Sequence, residues 1–244
     1  MEVRLDHVTM RYRRQDPPAV NDLSMTVASG EFLVVIGESG SGKTTLLRII
    51  AGLEKMDEGD IYIGGVWSND VPAGQRPVQI IFQGLALWPH MKVLDEHDYS
   101  NISFPLKVRR FTSDEISRRV RQITASVRIP ENLFHRKPHE LSGGEQQRVA
   151  LARAMVTESR IFVMDEPLSN LDPINRVKIR AEIRRLHDEA GSTTIFVTHS
   201  VNDALILADR IAVMRDGRIL QIGSPEILRS QPVDPYVTEF LHAS

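Results

Sequence analysis

Residues 37 to 44 read Gly37, Glu38, Ser39, Gly40, Ser41, Gly42, Lys43 and Thr44, which fits the spacing G-x-x-x-x-G-K-[ST], and Thr45 follows. Glycines at these places let successive backbone N–H groups turn inward around phosphate oxygens, a lysine neutralises charge, and the Thr44 hydroxyl can reach a Mg²⁺ ion. The chemistry implied is the cradling of a triphosphate. A second group, Asp165-Glu166, follows the apolar run Ile161-Phe162-Val163-Met164. At a strand end Asp165 can hold Mg²⁺ or its water, and Glu166 can accept a proton from an attacking water. An acidic pair that simply caps the next helix is the plain alternative. His199 ends the run Thr194-Ile195-Phe196-Val197-Thr198 and would reach the same crevice, there to touch a γ-phosphate. A lone histidine with its hydrogen bonds satisfied at a sheet edge is the competing reading.

Such groups need a sheet that brings strand ends together. Phe32-Leu33-Val34-Val35-Ile36 is a continuous apolar run, the mark of a parallel strand covered on both faces, and it feeds directly into the glycine loop. Residues 43–53 predict a helix with Leu46, Leu47, Ile50 and Leu53 at helical spacing, and Gly52-Leu53-Glu54-Lys55 reads as its end. Nearer the N-terminus, Val3, Leu5 and His7, then Leu23, Met25 and Val27, alternate with polar residues as half-buried antiparallel strands do, with a basic loop from Tyr12 to Pro18 between them. Residues 60–63 and Val66-Trp67, around Gly64-Gly65, predict a hairpin. From about 84 to 153 strand signals thin out, and Thr112-Ser113-Asp114-Glu115 predicts a capping box that opens a basic helix through Ile116, Val120 and Ile123. Strands at 161–164, 194–198 and 211–214 then alternate with helices at 176–190 and 201–208, Asp216-Gly217 predicts a turn into 219–222, and the stretch from Pro225 reads as a helix and a tail. The expected fold class is α/β, with a doubly wound, mainly parallel sheet, an N-terminal antiparallel β subdomain and an inserted helical lobe. Residues 1–83 and 154–244 form the expected core and 84–153 the lobe.

The segment Leu141-Ser142-Gly143-Gly144-Glu145-Gln146-Gln147-Arg148 narrows the function. Serine and two glycines at a helix start make a second anion site, with N–H groups and the helix dipole facing a phosphate, unless they only cap the helix. Here the chain closely resembles the ABC-transporter ATPase family, whose signature is LSGGQ followed by a basic helix. The resemblance covers nearly the whole chain and implies a P-loop NTPase fold with ATP and Mg²⁺ as ligands. It implies a head-to-tail homodimer, or a pairing with another ATPase subunit, in which Ser142, Gly143, Gly144 and Glu145 of one copy cap the ATP held by the other. It also implies roles residue by residue. Tyr12 stacks on adenine, Gly37 through Thr45 bind the phosphates, and Thr44, Gln83 and Asp165 serve Mg²⁺. Gln83 reports the γ-phosphate to the lobe, Glu166 is the general base, Lys43 and His199 stabilise charge, and Ser169-Asn170-Leu171-Asp172 crosses the dimer interface. Ala86-Leu87-Trp88-Pro89-His90-Met91 looks like ATPases of importers for sugars, polyamines, ferric ion or inorganic anions. The implied function is the ATP-binding and ATP-hydrolysing subunit of an importer, working with transmembrane permease subunits and a substrate-binding protein. Rival readings are a soluble ABC ATPase acting on non-membrane partners and a regulatory cassette that binds ATP without turning it over. The sequence has neither a long coiled coil nor a second cassette, and Lys43, Asp165, Glu166 and His199 are all in place.

Three departures from the family pattern stand out. Glu145 occupies the usual glutamine position and adds charge near a bound anion, which would tune ATP affinity at the interface. After Lys92-Val93, the stretch Leu94-Asp95-Glu96-His97-Asp98-Tyr99-Ser100 before Asn101-Ile102 is about five residues longer than in importer ATPases, a length read from the resemblance. The expectation is that this acidic insert alters the surface that receives a membrane subunit; a metal site from Asp95, Glu96, His97 and Asp98 is disfavoured because consecutive side chains point in different directions. Sugar-type importer ATPases also commonly continue into a C-terminal regulatory β-domain, whereas this chain ends at Ser244.

Composition adds exclusions. The 244 residues carry a net charge of −2 and no cysteine, so no global field draws the chain to nucleic acid, and no disulfide framework or thiolate metal site exists. The basic run Lys107, Arg109, Arg110, Arg118, Arg119 and Arg121 has only Phe111 as an aromatic neighbour and reads as a solvated helix face, so no nucleic-acid partner is expected. No apolar stretch approaches about 20 residues and the N-terminus lacks a signal-peptide core. The expected location is the cytoplasm, peripheral on the cytoplasmic face of the cell membrane.

Overall fold

The structure, a computed structural model, describes residues 1–95 and 99–242. Its strands are β1 (Val3–Met10), β2 (Val20–Val27), β3 (Phe32–Ile36), β4 (Glu58–Ile63), β5 (Val66–Trp67), β6 (Val78–Ile81), β7 (Ile161–Asp165), β8 (Thr193–Thr198), β9 (Arg210–Arg215) and β10 (Arg218–Gly223). The helices are α1 (Lys43–Ala51), α2 (Phe104–Val108), α3 (Ser113–Ser126), α4 (Gly143–Met155), α5 (Pro173–Ala190), α6 (Val201–Leu207), α7 (Pro225–Ser230) and α8 (Pro235–His242). They fall into two compact units, one of Met1–Ile80, Arg160–Glu166 and His187–Ser244, the other of Ile81–Ser159 and Pro167–Leu186.

In the first unit, alternation builds a four-stranded antiparallel sheet in the order β2-β1-β4-β5. Val3, Leu5, Leu23, Met25 and Val27 turn to the core as their spacing predicts. His7 does not. The register shifts between Leu5 and Val8, His7 takes a left-handed φ of 51°, and Val8 occupies the buried place. A bulge inserts one residue and so reverses the side-chain alternation beyond it. The exposed imidazole meets Asp22 at 2.8 Å.

The larger sheet has the order β10-β9-β3-β8-β7-β6. Every residue of β3 is fully buried, which is what a central strand with both faces covered requires. It pairs in parallel with β8 and β9, and β8 pairs in parallel with β7. β10 returns antiparallel to β9 through Asp216 and Gly217, both at positive φ. β6, which the sequence pattern did not single out, completes the edge. The expected helix at 43–53 stops two residues early: Gly52 at φ 75° caps it, and Leu53 is 46% exposed instead of packing on the core. The buried Arg76 fastens that end, donating to Ile49 O at 2.7 Å, Ile50 O at 2.9 Å, Ser68 O at 2.7 Å and Val71 O at 2.9 Å. Its guanidinium lies where a Cβ on Gly52 would sit, at 2.7 Å, so glycine is needed there for space as well as for φ.

The second unit is helical. The capping box at Thr112 forms as predicted, with the Thr112 hydroxyl accepting from Glu115 N while the Glu115 carboxylate accepts from Thr112 N. Buried charge ties three helices together: Arg148 on α4 meets Glu182 on α5 at 2.6 Å and donates to Val127 O at the end of α3 at 2.8 Å. Of the acidic insert, Asp95 pairs with Lys92 at 2.9 Å, while Glu96, His97 and Asp98 lie outside the described residues.

Arg76→Met removes donors from four carbonyls, two of them in the last turn of α1. It should lower stability on the order of 3 kcal/mol, read as a fall in Tm of roughly 6–12 °C by calorimetry.

Candidate active site

Three neighbouring parallel strands end together. The pairings Ile36 with Thr198 and Asp165 with Val197 set the C-terminal ends of β3, β8 and β7 side by side, so the glycine loop, His199 and Asp165-Glu166 emerge at one edge of the sheet. That edge is where open α/β sheets bind ligands.

The loop after β3 fits tightly against its surroundings. A Cβ on Gly37 would come within 2.1 Å of Met214 O, and one on Gly42 within 2.1 Å of Ala19 O, with Gly42 at φ 101°. No other residue could hold this path. Gly42 is also the N-cap of α1, with no side-chain capping bond and no acid in the first turn. A helix start without a side chain to answer its N–H groups suits an anion. Lys43 is buried, and its Nζ donates to Gly37 O at 2.8 Å, Glu38 O at 2.6 Å and Ser41 Oγ at 3.3 Å. Burial lowers its pKa, and the carboxylates of Glu166, Asp165 and Glu38 partly restore it.

Thr44 Oγ1 donates to Asp165 Oδ1 at 3.1 Å. Burial raises the Asp165 pKa; the Thr44 bond works against that shift, and the charge of Glu166 adds to it. A hydroxyl and a carboxylate oxygen side by side form a hard donor pair of the kind Mg²⁺ accepts. Glu166 follows at φ 44°, its N–H bonded to Val197 O at 3.0 Å, and its Oε2 lies 3.1 Å from His199 Nδ1. A non-glycine residue in that region is strained, and such strain concentrates at functional sites. Neither this turn nor the Glu166–His199 contact is visible in a residue pattern. Tyr12, half exposed, is tied by its hydroxyl to Thr45 Oγ1 at 3.1 Å.

The remaining expected residues belong to the second unit. Ser142 caps α4: its N–H and hydroxyl both donate to Glu145 Oε2, at 2.7 and 2.8 Å. Those bonds hold the Glu145 carboxyl below its ordinary range. Asp172 caps α5 by accepting from Ile174 N at 3.1 Å and Asn175 N at 3.0 Å. The same stretch touches the other two motifs: Asn170 Nδ2 donates to Gln83 O at 3.4 Å, and Gly143 and Gly144 pack against Leu171 and Asn175. Asn175 follows the four residues the sequence marked, and nothing in that pattern singled it out.

The sequence pattern of the family described as "ABC transporter" matches residues 20–169. The chain belongs to the ABC transporter family. Among relatives of this family, the oligosaccharides import ATP-binding protein MsmX of Bacillus subtilis (strain 168) is 46% identical over 240 residues, 98% of this chain and 64% of its own length. The trehalose/maltose import ATP-binding protein MalK of Thermococcus litoralis is 47% identical over 229 residues, 91% of this chain and 60% of its own length. The chain therefore spans less than two thirds of either relative. Among solved structures, the dimeric ATP-binding cassette MJ0796, in a post-hydrolysis state bound to ADP and Pi, superimposes with a TM-score of 0.80 at 31% identity, covering 91% of this chain and 98% of that one. The expected fold, an ABC cassette of P-loop NTPase type, is thereby established.

Because burial raises the pKa of Asp165, the folded chain keeps that proton to a higher pH than the unfolded chain, and the associated stability is lost as pH rises through the folded value. Asp165→Asn keeps an acceptor for Thr44 and removes the charge. At pH 7.5, without nucleotide or Mg²⁺, its Tm should rise by about 2–4 °C, with a flatter dependence of Tm on pH than the parent.

Proposed function

We propose that the chain is the ATP-binding and ATP-hydrolysing subunit of an ABC importer, acting as a homodimer or with a paired ATPase subunit. The observation that carries this reading is the single sheet edge shared by the uncapped glycine loop, the Thr44–Asp165 pair and the Glu166–His199 pair. The names of the relatives, import ATP-binding proteins, support the importer direction, and the dimeric cassette supports pairing.

In this reading the triphosphate lies along residues Gly37 through Thr45, with the Tyr12 ring against the base and the Tyr12–Thr45 bond fixing its tilt. Lys43 exchanges its bonds to loop carbonyls for phosphate oxygens. Thr44 and Asp165 would hold Mg²⁺, which would supply charge neutralisation at the phosphates; Gln83 is assigned to the same ion by family resemblance alone. Glu166 takes the proton of an attacking water, and His199, bonded to the same carboxylate, orients it and faces the developing charge. The signature residues Ser142, Gly143, Gly144 and Glu145, with Asp172, are assigned to the partner-facing surface that caps nucleotide in the second copy. The two units correspond, in this reading, to a catalytic core and a helical lobe that docks on transmembrane permease subunits, with a substrate-binding protein on the far side. The chain would then sit on the cytoplasmic face of a membrane; among the described residues no helix is long and apolar enough to cross one.

Glu166→Gln should reduce steady-state phosphate release by a factor of about 10² or more while ATP binding and ATP-dependent dimerisation persist. Turnover within a few fold of the parent, in a variant that binds ATP, would refute the general-base role.

A further inference from the structure

Arg153 stands in the last turn of α4, the helix that opens at Ser142. The helix is 13 residues long, so about 20 Å separate its two ends. Half-buried, the Arg153 guanidinium donates through Nη1 to Ala86 O and through Nη2 to Leu85 O, each at 2.6 Å, and lies 4.8 Å from the centre of the Trp88 ring. Burial lowers its pKa to about 10, which leaves it charged at neutral pH. Both accepting residues carry a Cβ and both are left-handed, Leu85 at φ 57° and Ala86 at φ 47°. Two consecutive residues in that region persist only where something holds them.

The far side of the loop is held as well. Asn101 accepts from Trp88 N at 2.9 Å and donates to Trp88 O at 3.1 Å, and the Trp88 ring packs on Phe104 at 4.4 Å between centres. Between these anchors and the end of β6 lie Phe82, Gln83 and Gly84, the last two exposed. A planar two-pronged donor is what two adjacent carbonyls require; a lysine reaches one of them at a time.

We propose that Arg153 is a positioning residue: its fork holds the left-handed turn behind Gln83 and makes that turn and α4 one body, so that Gln83 and Ser142 shift together. The inference rests on the functional reading above, in which both residues serve nucleotide, but the physical link stands apart from it. Arg153 touches neither nucleotide nor water in this scheme and acts through Leu85 and Ala86.

Arg153→Lys and Arg153→Met test it by amide hydrogen exchange and steady-state kinetics on the whole chain. Exchange in the segment 84–88 should accelerate about tenfold in both variants while the segment 37–45 keeps its parental rate. For Arg153→Lys, kcat should fall about tenfold, with KM for ATP changing less than about twofold. Arg153→Lys keeps the charge and the stem, and it decides the matter if Arg153→Met fails to fold. Exchange at 84–88 unchanged in folded Arg153→Lys overturns the proposal, as does a rate loss carried by KM. If the parent itself hydrolyses no ATP, the functional reading fails and the exchange experiment alone decides whether Arg153 holds the turn.

Discussion

The parallel ladder of β3, β8 and β7 is the constraint on which the first unit depends. Parallel strands must all run the same way, so every strand end of one kind comes out at one edge, and each connection has to travel back across the sheet. Motifs more than 120 residues apart in sequence, such as Thr44 and Asp165, thereby meet within hydrogen-bonding distance. The burial of β3 is what makes the arrangement stiff. With no exposed residue in that strand, the loop that follows has no freedom to slide, and the backbone oxygens of Met214 and Ala19 press on it from outside.

Stiffness of this kind lets the fold hold charges it would otherwise reject. Lys43 and Asp165 are both buried, and burial moves their pKa values in opposite directions, each toward its neutral form. The lysine stays bonded by turning onto loop carbonyls, and the aspartate by accepting from Thr44. A triphosphate with its cation would supply both with partners of opposite sign, so binding would relieve the cost of burying them.

Much of this was legible because it is local. The glycine loop, the continuous run of β3 and the capping box at Thr112 each rest on a few adjacent residues whose geometry hardly depends on the rest of the chain. His7 and Leu53 show where locality ends. The local periodicity places both on a buried face, but a bulge reverses it at His7 and a left-handed glycine ends the helix before Leu53. Gly52 itself was a readable stop signal, whereas the bulge is fixed by pairing with β2 and β4. β6 has two buried ends and two half-buried middle residues, a pattern that belongs to no template. The contact of Arg153 with Leu85 and Ala86 spans 68 and 67 positions and left only one trace in the sequence, an arginine in an otherwise apolar helical stretch.

The starts of α1 and α4 are chemically unequal. The first has no side chain over its N–H groups; the second is closed on itself, with Glu145 holding both the N–H and the hydroxyl of Ser142. An anion arriving at α1 finds donors waiting, while one arriving at Ser142 must first compete with a carboxylate of its own sign. In the proposed reading the second start would therefore act as a threshold, answering a concentrated, multiply charged group held firmly in front of it rather than the stray anions that the first would welcome.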